Sequence, residues 1–403
     1  MYQIILAVGL LIFAAHALSF VFKKTLIPDV LILIIFGIVI GPVLHLVSSS
    51  DFGKIGQVIT TIALVVILFE SGCSLNFRVL MNSFKTSGFL TLASFIVTTI
   101  IVCLFSLSFL DLNFISSLML GVILGGTSSA VVVPITNVLD IEPTTKTTLL
   151  LESAATDVLC ILTLFSLVEF YEHGQAFNII KFISSIGSSF VMAIVFGLFA
   201  GTMWLIIIDK IKNFPNTLTT TIAWLFIVYG LTEMFGYSGP IAALAFGLIL
   251  TNYKSFGFIN NFILAKHEIK PLTKTELDFY RELVFLLKIF FFIFLGIQFE
   301  IKEYNLLAFA IVLVFFIFIL RIPMTKLLFK ETNFADKSYI SMMAPKGLAA
   351  AVLASIPLTY NVPGSEQIID IVSMVVVFSI ILCAVLVMMF RFNFVKRLYQ
   401  KVL

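Results

Sequence analysis

Gly125-Gly126-Thr127-Ser128-Ser129 interrupts an apolar run that extends from about residue 114 to 138 and also holds Pro134. Ala344-Pro345-Lys346-Gly347 interrupts a second such run, from about 338 to 359. Proline removes a backbone donor and glycine loosens a helix, so each run reads as a helix broken near its middle. At membrane depth, bare backbone groups survive only beside protein or a water-filled cavity. Apolar runs of about 20 residues, the length that crosses a bilayer, recur along the chain. They lie at about 2–22, 26–47, 56–77, 87–109, 114–138, 147–171, 177–208, 217–235, 238–253, 280–298, 304–326, 338–359 and 367–390. The broken spans are the fifth and the twelfth. They correspond if spans one to six and eight to thirteen are two repeats joined by the seventh as a linker, and an odd offset inverts the second repeat. The expected fold is an all-α polytopic membrane protein of about 13 transmembrane helices in two inverted six-helix repeats. Its two discontinuous helices cross, and secondary transporters of this build hold their substrate at the crossing. A proline kink or a small-residue packing site accounts for either break alone; the matched pair favours a transport site.

Composition agrees. The 403 residues are 60% hydrophobic and 12% charged, with 44 Phe and a mean hydropathy of +1.14, against about 25% charged in a soluble globular domain. The spans leave no room for a folded soluble domain, and the lipid bilayer is the surrounding partner. A net charge of +3, spread over many loops, argues against a nucleic-acid partner. Cys73, Cys103, Cys160 and Cys383 lack metal-ligand spacing and read as packing residues. The first span has no basic segment before it and Lys23-Lys24 after it, as a retained helix does. With the N-terminus outside and the C-terminus cytoplasmic, only Lys54, Lys181 and Lys302 of the 25 basic residues face outward. Lys288, Arg321 and Lys346 lie within the membrane, and the rest are cytoplasmic, as the positive-inside rule requires. The ninth span is the shortest, and its failure to cross would invert everything after it. The polar connection from Lys254 to Arg281 is either a linker or a place for pH sensing.

An ionisable group in mid-membrane costs about 2.5–3.5 kcal/mol or more, which makes each one a functional candidate. Asp157 lies eleven residues past Lys146, about 16 Å of helix, at the midplane and level with both breaks. Ser153 and Asp157 share one helical face; Glu152 and Thr156 share another, one residue round. Glu152 and Arg321 stand at equal depth with opposite charge, which suits a buried ion pair; the alternative is that Arg321 snorkels to the inner surface. Glu70 and Lys288 are also level, and either pair with each other or leave Glu70 facing a cation. Glu233, His16 and His45 lie near span ends and read as interfacial or packing residues.

In order along nearly the whole chain, these residues resemble the monovalent cation:proton antiporter superfamily. The likeness is carried by Ile27-Pro28 through Gly41-Pro42, Leu68-Phe69-Glu70-Ser71-Gly72, and Gly126-Thr127-Ser128-Ser129-Ala130-Val131-Val132. It continues through Leu151-Glu152-Ser153-Ala154-Ala155-Thr156-Asp157, Ser238-Gly239-Pro240, Phe291-Phe292 to Gly296, Arg321 and Pro345-Lys346-Gly347. The resemblance implies a scaffold and dimerisation domain of residues 1–85 and 215–300, a core transport domain of 86–172 and 301–392, and a linker helix within 173–214. It implies a homodimer in a prokaryotic inner membrane. It further implies that Asp157 binds a monovalent cation and a proton in competition, helped by Ser153, Thr156, Thr127, Ser128 and Glu70. Glu152–Arg321 would be the structural ion pair, and Lys346 with Pro345 and Gly347 would compensate the broken helix. Two positions depart from the family pattern. Thr156 stands where the exchanger branch usually has Asn and the electrogenic branch Asp, and Ser128 stands where Asp is frequent.

The function expected is electroneutral exchange of Na⁺, Li⁺ or K⁺ for H⁺ by alternating access, with no cofactor and no enzymatic activity. One carboxylate can hold either ligand and not both. A sodium-coupled symporter of a small organic solute could share the broken helices, but needs a larger polar cavity than Phe-rich spans offer. An aspartyl intramembrane hydrolase needs two facing aspartates, and Asp157 stands alone at mid-membrane.

Overall fold

The computed structural model describes residues 29–75, 77–172, 179–211, 217–256, 272–299 and 303–390, with isolated residues on either side. Apart from isolated positions, the expected first span lies outside the described residues. Those described form helices and no strands. In chain order they are α1 (Asp29–Ile38), α2 (Ser49–Ser74), α3 (Phe77–Phe109), α4 (Phe114–Ile123) and α5 (Ser129–Val138). There follow α6 (Pro143–Glu172), α7 (Ile179–Ile211), α8 (Thr217–Met234), α9 (Gly239–Asn252) and α10 (Lys274–Ile297). The last are α11 (Tyr304–Leu328), α12 (Phe334–Met342), α13 (Leu348–Leu353), α14 (Ile356–Thr359) and α15 (Ser365–Met389). Segments of α3, α6, α7, α11 and α15 are long and apolar enough to cross a membrane unaided. The protein is an integral, multi-pass membrane protein.

Both sequence breaks are breaks in the structure. The fifth span is α4 followed by α5, and the twelfth is α12 followed by α13 and the single turn α14. Several helices start earlier than hydropathy indicates: α3 starts at Phe77 instead of 87, α10 at Lys274 instead of 280, and α12 at Phe334 instead of 338. Hydropathy locates hydrocarbon, whereas caps hold the polar first turns of two of these helices. Thr273 and Glu276 form a reciprocal capping box at the start of α10. Asn333 Oδ1 accepts from the Asp336 amide, at 2.8 Å, at the start of α12.

The chain forms two compact units. The first comprises Met1–Gly56, Lys85–Leu164 and Lys288–Leu403, and holds both broken helices. Within it, α1 and the end of α10 cross at a pair of glycines: a methyl on Gly37 would strike Ile293 O, and one on Gly296 would strike Ile34 O. Small residues let backbones approach closely where lipid gives helices no hydrophobic reason to associate. The second unit comprises Gln57–Phe84 and Phe165–Leu287. Gly72 of α2 and Gly247 of α9 make the equivalent approach there, against Leu244 O and Phe69 O. Asn252 then ties the turn after α2, donating to Leu75 O at 2.8 Å and accepting from the Phe77 amide at 2.9 Å. Glu233 accepts from the Gly239 amide at 2.7 Å and so caps the positive end of α9.

Candidate functional site

The ends of α4, α5, α12 and α13 meet inside the first unit, and each end carries backbone groups without intrahelical partners. The connections satisfy several of them across the crossing. The Ser128 amide donates to Pro345 O at 2.7 Å, so one break is bonded backbone to backbone with the other. Lys346, 1% exposed, reaches back so that its Nζ donates to Gly126 O at 2.8 Å, while its amide donates to Ser379 Oγ at 2.9 Å. A cation set on a carbonyl just past the C-terminal end of α4 opposes the negative end of that half-helix.

Gly347 fits closely. A methyl on its Cα would strike the Oγ and Cβ of Ser128. Gly347→Ala is expected to cost about 1–3 kcal/mol by overpacking, read as a lowered melting temperature with reduced exchange. Adding Ser128→Gly should recover most of that stability, because Ser128 Cα stands 3.5 Å from the new methyl, in ordinary contact. An unchanged melting temperature for G347A would contradict this packing.

α6 passes beside the first break and lends it two faces. On one, Thr156 Oγ1 accepts from the Thr127 amide at 3.1 Å, lies 3.3 Å from Thr127 Oγ1, and donates to Ser153 O at 3.2 Å. Thr156 therefore pins the unwound backbone. On the other, Asp157 Oδ2 accepts from Ser129 Oγ at 3.3 Å, and its Oδ1 faces Gly126. Ser153 is fully buried, with its hydroxyl donating to Leu150 O at 3.0 Å. Ser128 Oγ is buried and, among the described residues, has no hydrogen-bond partner.

One turn away, Glu152 and Arg321 meet at 1% and 3% exposure. Both guanidinium nitrogens Nη1 and Nη2 donate to the carboxylate, each at 2.6 Å, in the planar fork that makes such pairs strong. Nη1 also donates to Ser94 Oγ at 3.0 Å, and Nε to Ile340 O at 2.8 Å. The arginine thus joins α3, α6, α11 and α12. Ser94, which sequence reasoning missed, does carry a signal: Thr91, Ser94 and Thr98 form a hydroxyl stripe at helical spacing on α3, and all three are buried. Ser94, Thr98, Thr127, Arg321 and Lys346 line a cavity of about 10 Å³, room for roughly one water.

The remaining candidates lie apart in the chain. Glu70 belongs to the second unit, where its carboxylate is 3.8 Å from Arg281 Nε. Lys288 belongs to the first unit and is half-buried on α10. All four cysteines are buried and free.

Comparison with known proteins adds the following. Residues 8–390 match the family described as sodium/hydrogen exchanger, transmembrane. The chain is 29% identical over 384 residues to probable Na(+)/H(+) antiporter 2 of Methanocaldococcus jannaschii, covering 89% of this chain and 86% of that one. It is 24% identical to K(+)/H(+) antiporter NhaP2 of Shewanella sp. strain MR-4, covering 93% of this chain and 64% of that one. Its fold is that of the sodium proton antiporter MjNhaP1 from M. jannaschii at pH 8, with a TM-score of 0.76 at 22% identity, covering 95% of this chain and 99% of the other.

Proposed function

The chain belongs to the sodium/hydrogen exchanger family, and from that premise we propose that it exchanges one Na⁺, Li⁺ or K⁺ for one H⁺ at Asp157 by alternating access. It is a monovalent cation/proton antiporter. The observation that carries the finer reading is the half-buried Asp157 carboxylate, set at the entry to α5 beside the crossing of two broken helices. A proton and a cation compete for that one acid. Carrying either, the site is neutralised and can cross; charged and empty, it meets the full cost of a bare charge in lipid. With Thr156 and Ser128 in place of further acids, a single negative charge is available, which supports a one-for-one, electroneutral cycle.

Thr127 and Ser128 supply backbone and hydroxyl oxygens from the break. A buried hydroxyl without a partner costs about 1–3 kcal/mol, which an arriving ligand of Ser128 would relieve. Ser153 lies one turn from Asp157 on the same face. The names of the relatives above, all those of antiporters, favour exchange over symport of an organic solute.

In this reading residues 86–172 and 301–392 are the moving core, 1–85 and 215–300 the dimerisation scaffold of a homodimer, and 173–214 their linker. The N-terminus is outside and the C-terminus cytoplasmic, in a prokaryotic inner membrane. The test is a liposome containing the purified protein and a pH dye but no other solute. An imposed sodium, lithium or potassium gradient should move internal pH without generating a membrane potential. No pH change with any of the three cations sinks the proposal, and a potential-dependent rate would replace electroneutral exchange with an electrogenic one.

A further inference from the structure

We propose that Ser129 is a direct ligand of the transported cation and sets its selectivity; the inference rests on the exchange reading above and names a residue it does not use. Five hydroxyls surround the carboxylate in sequence: Thr127, Ser128, Ser129, Ser153 and Thr156. Four are 0–4% exposed, and three of those are committed to holding the backbone or one another, as described. Ser129 differs in two respects. It is half-buried, as Asp157 is, so packing closes neither side chain off completely. Among the described residues, its hydroxyl is also the one bonded to the carboxylate, at 3.3 Å.

A hydroxyl has one proton to give and two lone pairs to offer. In the empty state Ser129 donates its proton to the charged Asp157; a cation seated between the two side chains takes a lone pair instead, with that proton turned away. When Asp157 is protonated instead, the same hydroxyl rotates and accepts the carboxyl proton. Ser129 therefore serves both loaded states without changing its place. Its backbone is the first residue of α5, anchored through the neighbouring Ser128 amide to Pro345 O, so the distance between the two ligands is set by the crossing. A ligand pair of fixed separation discriminates among ions by size, since hard monovalent cations favour oxygen donors at distances that grow with ionic radius.

The test is reconstituted exchange measured against Na⁺, Li⁺ and K⁺ in Ser129→Ala, Ser129→Cys and Ser129→Thr. Loss of one oxygen ligand should raise the apparent KM for the best cation by about tenfold in S129A, with the maximal rate near that of the unaltered protein and an altered ratio among the three ions. S129C keeps the volume but offers sulfur, a poor ligand for hard cations, and should behave like S129A; this variant decides the matter should S129A fold poorly. S129T keeps the oxygen and should keep the KM. An unchanged KM and ion ratio in both S129A and S129C overturns the role of Ser129, as does an equal loss in S129T. If the unaltered protein moves no protons with any cation, the exchange reading itself has failed.

Discussion

Asp157→Asn reduces cation-driven proton flux to that of protein-free liposomes, while the protein keeps its melting temperature. The amide preserves the shape of the carboxylate and can still accept from Ser129, so packing around α5 and α6 changes little. It has no charge to attract a cation and no proton to release. Both substrates are lost together, which distinguishes this position from a ligand such as Ser129, whose removal weakens one and spares the maximal rate. Sodium-driven flux at even a tenth of the original rate in D157N would place the exchanged proton on another group.

Glu152→Gln and Arg321→Met, made singly, each destabilise the protein by about 3–5 kcal/mol, because each leaves an unpaired charge or donor set deep in the first unit. The two differ in kind. Losing the arginine also strips Ser94 Oγ and Ile340 O of a partner, at about 1 kcal/mol each, so R321M should be the worse. The double replacement Glu152→Leu with Arg321→Met removes both charges and should recover most of the loss, short of those two hydrogen bonds. Thermal unfolding in detergent measures all three. Wild-type stability in either single variant would mean that the pair contributes nothing to holding α3, α6, α11 and α12 together.

The architecture was legible because its markers are local. Gly125-Gly126 and Pro345 stand at the two breaks, although proline alone does not mark one, since Pro134 and Pro323 lie inside α5 and α11; the matching places of the two runs, and depth counted from Lys146 at a fixed rise per residue, single these two out. The pairing of Glu152 with Arg321 could be raised for the same reason: two opposite charges at one depth in lipid have few other places to go. What sequence could not give is the phase of an unwound segment. From Gly125 to Ser129 no helical period tells which hydroxyl faces α6, and the structure turns Ser129 to Asp157 while pressing Ser128 against Gly347. Thr156 posed a related difficulty. The resemblance implies that it helps to bind the cation, and its bond to the Thr127 amide could not be read from sequence, because that partner exists only where the backbone has left the helix. Glu70 showed the limit of counting depth alone, since Arg281 reads from sequence as a residue that sets orientation and stands within 3.8 Å of it.

The bond from the Ser128 amide to Pro345 O, with that from Lys346 to Gly126 O, also bears on how the chain is made. Of the bare groups in the first break, the Thr127 amide finds its partner 29 residues later, in the next span to be synthesised. Gly126 O waits for a residue 220 positions further on. Chains are built from the N-terminus, and early segments fold first. The first repeat therefore sits in the bilayer through the synthesis of more than half the protein with its central carbonyl and amide unpaired, where lipid offers them nothing. Insertion of the second repeat closes both, so the last part made completes the site in the first, and half a transporter is an unstable object as well as an inactive one.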